Sequence, residues 1–254
     1  EENRKDYAAY LSSAKIMDSC VGTVLESVKE SGLEDDTFII FTTDHGLAYP
    51  NMKCNLYDTG IGVSLITKYP SNKYVGKSLD ALVSHLDIFP TICDIMNIDK
   101  PDYIVGNSIL PLLEGKTEKI RDEIHAEVTY HAVYEPMRCL RTDRYKLIKR
   151  FGDYYYPIPE NIDKSVAKDF MVEAGFFKVK NASLMLFDLY LDPVERVNLV
   201  AEEAYKDVLD DLSARLHKWM LDTADPMLSG IIKKPPGAII NKRSCYSPRE
   251  EDFE

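Results

Sequence analysis

The stretch Phe38-Ile39-Ile40-Phe41-Thr42-Thr43-Asp44-His45-Gly46 decides how the rest of the chain is read. Four large apolar residues run without alternation and stop at Asp-His-Gly. Such a run predicts a strand buried on both faces of a parallel sheet. Ligands of open α/β sheets gather at the carboxyl ends of such strands. An adjacent carboxylate and imidazole at that edge can ligate one divalent cation. Asp44 and His45 are therefore a candidate metal pair, the alternative being a turn-capping Asp44 beside a surface His45.

Upstream, Ala14, Met17, Val21, Val24, Leu25 and Val28 fall at helical spacing, which predicts a helix over 7–31 with one core-facing stripe and a stop at Gly32. Downstream, a loop rich in Asn, Pro and Gly runs from His45 to about Gly60, and Val63-Ser64-Leu65-Ile66-Thr67 reads as a second strand. Pro70, Ser71 and Asn72 mark a turn. Asp87 reads as the N-cap of a helix through Met96, with Pro90 in its first turn. Gly106-Asn107-Ser108 and Gly115 lie in a loop. Helix and strand alternate, so the expected class is α/β, a mostly parallel sheet flanked by helices.

The second half changes character. Residues 124–129, 137–142 and 145–150 are short segments rich in β-formers, with Thr142-Asp143-Arg144 as a hairpin turn, and 184–189 offers a further strand. Tyr205, Val208, Leu212, Leu216 and Trp219 trace an amphipathic helix. Hairpin strands followed by a helix predict a smaller α+β subdomain with antiparallel strands. The expected organisation is a larger α/β part over 1–120, the α+β part over 121–230 and an extended tail over 231–254 that wraps the surface or is partly disordered.

The length of 254 residues suits one large α/β domain with a small appendage. A 45 % hydrophobic and 29 % charged composition builds an ordinary core. The formal charge of -11 argues against a broad nucleic-acid surface, yet leaves room for a locally positive pocket that takes an anion. Cys20, Cys54, Cys93, Cys139 and Cys245 contain no Cys-x-x-Cys pair and read as free thiols, which favours a reducing, cytoplasmic compartment. No apolar run reaches the roughly eighteen residues of a membrane span, and no signal peptide opens the chain. Glu1-Glu2-Asn3-Arg4-Lys5 reads as the middle of a longer protein, so a periplasmic or secreted location stays open.

Lys53 lies nine residues after Asp44 and reads either as an ammonium held over an anionic group or as a solvated loop lysine. Tyr130-His131-Ala132-Val133-Tyr134-Glu135-Pro136-Met137-Arg138 groups an imidazole, two phenols and a guanidinium around a Pro turn. His131 is a candidate hydrogen-bond donor or general acid, and Arg138 a candidate fork onto a carboxylate or sulfate. Their bland readings are a satisfied interface histidine and a structural Arg–acid pair. His125 and Glu127 share a strand face, and Glu127 could bind sugar hydroxyls. His85 and His217 read as structural, and Tyr154-Tyr155-Tyr156-Pro157 either stacks on a sugar or packs.

Taken in order, these segments resemble the C-terminal half of a sulfatase, of the alkaline-phosphatase-like superfamily, over residues 6–221. Asp6-Tyr7-Ala8-Ala9-Tyr10-Leu11 looks like the helix before a metal strand, and Phe41-Thr42-Thr43-Asp44-His45-Gly46 like that strand's end. Lys53 with Leu56-Tyr57-Asp58-Thr59-Gly60-Ile61 looks like the loop that places a cation on the sulfate. Asp87-Ile88-Phe89-Pro90-Thr91, Gly106-Asn107-Ser108-Ile109-Leu110-Pro111 and Leu186-Phe187-Asp188-Leu189-Tyr190-Leu191-Asp192-Pro193 are further landmarks. Tyr134-x-Pro136-Met137-Arg138 is most similar to the heparan N-sulfatase branch.

The resemblance implies hydrolysis of a sulfate ester or N-sulfo group on a sulfated amino sugar or other small sulfate ester. It implies a divalent cation, most often calcium, on Asp44 and His45. Lys53 and His131 take catalytic roles, and Lys53, Glu127, His131 and Arg138 bind substrate. It also implies a formylglycine made from Cys or Ser in a Cys/Ser-x-Pro/Ala-x-Arg motif, expected in an N-terminal half not present here. Cys245-Tyr246-Ser247-Pro248-Arg249 has Ser where Pro or Ala belongs and reads as a chance near-match. The missing half is then a partner, self-association follows from an exposed sheet edge, and neither nucleic acid nor membrane is expected as a partner. A phosphodiesterase or phosphonate hydrolase of the same superfamily, and a non-catalytic glycan-binding fragment, are the alternatives.

Overall fold

The computed structural model describes residues 1–70 and 75–253, so Ser71 and Asn72 of the expected turn lie outside the described residues. The chain divides into two compact units, one of residues 8–43 and 64–124, the other of 1–7, 44–63 and 125–254. This division differs from a cut at 120. Residues 44–63, which carry Asp44, His45 and Lys53, group with the second half, and so does the tail.

The predicted helix forms as α1, Glu2–Glu30, with residues 8–30 in the first of these units, and a left-handed Gly32 at φ 69° follows it. Its apolar stripe is not core-facing as expected: no residue of α1 is buried, and Met17, Val24 and Leu25 are exposed. Strand β1, Ile39–Thr42, is half-buried and pairs antiparallel with β2, Leu65–Lys68. The parallel, doubly buried pairing expected here is therefore not found. The reason is in the register. Thr42 lies opposite Leu65, so the chain leaves β1 and enters β2 at the same end, whereas a parallel partner needs a crossover to the far end.

A buried cluster of Ile109, Leu112 and Leu113 packs with Phe38, Tyr69, Val83 and Ile120 around α4, Leu110–Leu113. Helix α3, Ile88–Met96, follows Asp87 as predicted, but the Asp87 side chain does not cap it. The carboxylate is buried and accepts from both terminal nitrogens of Arg121 at 2.5 Å, from Asn107 N at 2.8 Å and from Ser84 N at 2.7 Å. A guanidinium fork outcompetes a single helix N–H for a buried carboxylate.

The second unit is built on a four-stranded sheet in the order β3 (Glu123–Tyr130), β4 (Tyr134–Thr142), β5 (Tyr145–Arg150), β6 (Leu184–Asp188). β4 to β5 and β5 to β6 pair antiparallel, as the hairpin pattern predicts. Side-chain alternation separates two apolar faces. Met137, Cys139, Ile148, Met185 and Phe187 pack with Leu56 on one face. Leu140, Leu147 and Leu186 pack on the other with Leu212 and Leu216 of α6, Lys206–Asp222. The tail is ordered rather than loose. Ile240, Asn241, Cys245 and Ser247 are buried, and Asn241 bridges to Phe253.

Candidate functional site

Residues 44–63 fold back on themselves at two glycines. Gly46 N donates to Gly60 O at 2.9 Å. A Cβ on Gly46 would collide with the Thr59 carbonyl, and one on Gly60 with the carbonyls of Met52 and Asn55, so only glycine permits the crossing. Leu56 anchors the loop to the sheet face that holds Met137 and Ile148. Asp58, which opens the short helix α2 (Asp58–Ile61), adds a polar lock. Its carboxylate accepts from Lys146 Nζ at 2.6 Å and Arg141 Nη2 at 3.1 Å, and Lys146 also reaches Glu195 Oε1 at 2.9 Å. Lys146 is fully buried, so this network is costly to break. Burial pushes the Asp58 carboxyl up, but Lys146 and Arg141 more than reverse it and leave the group below its ordinary value.

On this locked loop, His45 N donates to Asp44 Oδ1 at 3.0 Å. His45 Nδ1 lies 2.6 Å from Gly46 O, which assigns the ring proton to Nδ1. His45 Nε2 lies 3.4 Å from Asp44 Oδ2. Asp44 is exposed at 86 % of its side chain. Lys53 Nζ donates to Asp163 Oδ2 at 2.8 Å, and this hydrogen bond raises the Lys53 pKa and lowers that of Asp163.

His131 sits in the turn between β3 and β4. Asn161 shapes that turn from below: its Oδ1 accepts from Ala132 N at 3.0 Å and Val133 N at 3.1 Å. Its Nδ2 donates to Glu135 Oε2 at 2.8 Å, and Arg150 holds the other oxygen of Glu135 at 2.8 Å. Partial burial lowers the His131 pKa first, then the nearby Lys53 ammonium, with a smaller push from His45 against a pull from Asp163. His131, His45, Lys53 and Asp163 thus share one electrostatic neighbourhood.

Arg138 does not join them as expected. It is 1 % exposed, and its Nε and Nη2 clamp Asp225 at 2.6 and 3.0 Å. Nη1 donates to the carbonyls of Val128 and Met137. Every guanidinium nitrogen has a protein partner, so this is a structural Arg–acid pair. Alternation explains the loss: Arg138 points to the sheet face opposite Met137 and Cys139. Glu127 lies beside it, with Oε2 3.0 Å from Arg138 Nε and over half of its side chain in solvent. His125 stacks on Trp219 at 4.7 Å, and His85, read as structural, has its Nε2 2.7 Å from Thr42 Oγ1. Cys245 is buried with Sγ 3.3 Å from Asp252 O, so the near-match motif offers no accessible nucleophile.

The sequence gives no hint of Asn161 or Asp163. They arrive from a segment about a hundred residues beyond Lys53, and only the short 3-10 turn Pro159–Asn161 brings them to the site. Among the described residues no group of three or more His, Cys, Asp or Glu is placed to hold a metal. Asp44 and His45 fit a divalent cation as two adjacent donors, one hard oxygen and one imidazole nitrogen, that need further ligands to complete a site.

Comparison with known proteins points to the family. A family model described as Sulfatase matches residues 1–98, and one described as N-sulphoglucosamine sulphohydrolase, C-terminal, matches residues 50–161. Both models describe sulfatases. The chain is 30 % identical to N-sulphoglucosamine sulphohydrolase of Homo sapiens, over 95 % of its own length and 52 % of the relative. It is 28 % identical to an ulvan-active sulfatase of Formosa agariphila, over 91 % of its length and 46 % of the relative. A crystal structure of a sulfatase-family protein from Bacteroides thetaiotaomicron superposes with a TM-score of 0.70 at 25 % identity, over 90 % of this chain and 46 % of that one. The α/β class with a smaller antiparallel part therefore holds, and the resemblance read from the motif order is borne out. The chain spans about half the length of the curated relatives it matches, 52 % and 46 %. Sulfatases generally use a formylglycine and a divalent cation.

Proposed function

We propose that the whole protein is a sulfatase that hydrolyses a sulfate ester or N-sulfo group on a sulfated amino sugar. In this reading the chain supplies a cation-binding pair and a cationic substrate contact. The observation that carries the reading is the grouping of Asp44, His45, Lys53 and His131 on two loops of one compact unit. The relatives' names, N-sulphoglucosamine sulphohydrolase and ulvan-active sulfatase, support a sulfated sugar as substrate.

Asp44 and His45 would hold the divalent cation, calcium in our reading, which would supply Lewis-acid chemistry at a bound sulfate, and a formylglycine would supply the nucleophile. None of the five cysteines of this chain opens a Cys-x-Pro/Ala-x-Arg motif. Lys53 carries a full charge at neutral pH and can leave Asp163 for the sulfate or the leaving group as negative charge develops. His131, kept neutral by its lowered pKa, donates or accepts one hydrogen bond at the sugar rather than acting as a fixed cation. Glu127, paired to Arg138 by one oxygen and over half exposed, stands apart from this group and would meet a sugar only where the substrate extends toward Arg138.

The test is a paired assay on the intact protein with N-sulfoglucosamine, an O-sulfated analogue and an aryl phosphate. Sulfate release from either sugar well above phosphate release is expected. Preferential phosphate release would replace this reading with a phosphodiesterase, and no turnover of any substrate with calcium present would leave a non-catalytic sugar-binding protein.

A further inference from the structure

Glu160 is the most unusual group in the molecule. It has no exposed surface, and among the described residues neither carboxylate oxygen has a hydrogen-bond partner in good geometry. The nearest candidate cation is already committed. Lys168, at the start of helix α5 (Val166–Glu173), is itself fully buried and donates to Pro159 O at 2.7 Å, Ile162 O at 2.8 Å and Tyr246 O. An ammonium has three protons, and all of these go to carbonyls, two of which bracket Glu160 in the chain. A bare carboxylate in such a place is strongly disfavoured, whereas a carboxylic acid is tolerable.

The position of Glu160 gives this a consequence. It lies between Pro159 and Asn161 in the turn that hands Asn161 to the His131 loop and, three residues on, Asp163 to Lys53. We propose that Glu160 is a positioning residue for the site and works as a neutral carboxylic acid: protonated, it lets the turn stay packed and hold His131 and Lys53 in register, and ionised, it loosens that turn. The charged and titratable groups acting on it are Lys168 from α5, Arg243 and Glu250 from the tail, and Tyr154 from the preceding loop. Burial raises its pKa to about 7, with its own backbone N–H, Lys168 and Arg243 opposing and Glu250 assisting. The catalytic part of the proposal rests on the sulfatase reading. The structural part does not.

The experiment follows the amide exchange of Ala132 and Val133, the two N–H groups held by Asn161, in the intact protein. It is run across neutral pH and corrected for intrinsic exchange, together with a carbon-13 titration of the glutamate carboxyls. Wild type should show one glutamate titrating near pH 7 and a loss of Ala132 and Val133 protection over the same interval. Glu160→Gln, which mimics the neutral acid, should keep the protection flat. If sulfate turnover is found, its kcat/KM in wild type should decline over that interval, and Glu160→Gln should remove the decline. The proposal is overturned if every glutamate titrates in the ordinary range, or if protection in Glu160→Gln falls as in wild type. Should Glu160→Gln not fold, the wild-type titration and exchange decide alone. Absence of turnover with the exchange result intact would remove the sulfatase reading and leave the positioning role of Glu160 standing.

Discussion

Two ion pairs in the same compact unit, Lys53–Asp163 and Arg138–Asp225, look alike in sequence terms and differ in what surrounds them. The Lys53 pair is partly open, with 23 % and 38 % of its side chains exposed, and it stands beside His131, His45 and Asp44. The Arg138 pair is sealed at 1 % and 3 %, with carbonyls saturating the guanidinium. An open cation can exchange its carboxylate for a substrate anion at small cost, because an exposed pair contributes only about 0–1 kcal/mol. A sealed one cannot, because removing either partner strands a buried charge at about 3–5 kcal/mol. Exposure, more than residue type, separates a cation that can meet an anion from a structural one.

The largest effect should come from breaking the sealed pair. Arg138→Ala is expected to lose about 3–5 kcal/mol of stability in denaturant unfolding, while Arg138→Met with Asp225→Leu should recover most of it. A single variant as stable as wild type would place Arg138 back among the substrate contacts. Next comes Asn161→Ala, which leaves the Ala132 and Val133 N–H groups and Glu135 without their partner and should cost about 1–3 kcal/mol. Its damage should concentrate on the His131 turn in hydrogen exchange rather than spread over the sheet.

Much of this contrast was legible beforehand, and the rest was not for physical reasons. The runs of β-formers in β4 to β6 and the hairpin turn at Thr142-Asp143-Arg144 are local signals, and they are present as read. Asp44, His45 and Lys53 were visible because they lie on one loop with a fixed spacing. The orientation of Arg138 was hidden, because a fully buried strand gives no polar-apolar alternation from which to choose its face. Asp163 and Asn161 were hidden because their meeting with Lys53 and His131 is a tertiary event. The apolar run before Asp44 misled on pairing: continuous apolarity does not report strand direction, and here β1 and β2 return antiparallel.

Smaller effects sharpen the picture further. Glu160 should make stability fall as pH rises from the unfolded carboxyl value toward about 7, since the folded state holds its proton longer than the unfolded chain does. Glu160→Gln should flatten that slope, measured as denaturation midpoint against pH. An unchanged slope would assign the pH dependence elsewhere. Replacing the exposed Met17, Val24 and Leu25 of α1 with Lys or Glu should change stability by less than about 0.5 kcal/mol while lowering self-association of the isolated chain in sedimentation. Equal association before and after would move the sticky surface off α1.

The comparison of the two pairs comes down to Lys53. The decisive measurement is kcat/KM for sulfate release by the intact protein with Lys53→Ala, taken beside its melting temperature. Loss of about a hundredfold or more in kcat/KM is expected, with Tm shifted by no more than about 2 °C. Undiminished sulfate release from Lys53→Ala, with a large fall in Tm, would make Lys53–Asp163 a second structural pair and contradict the account.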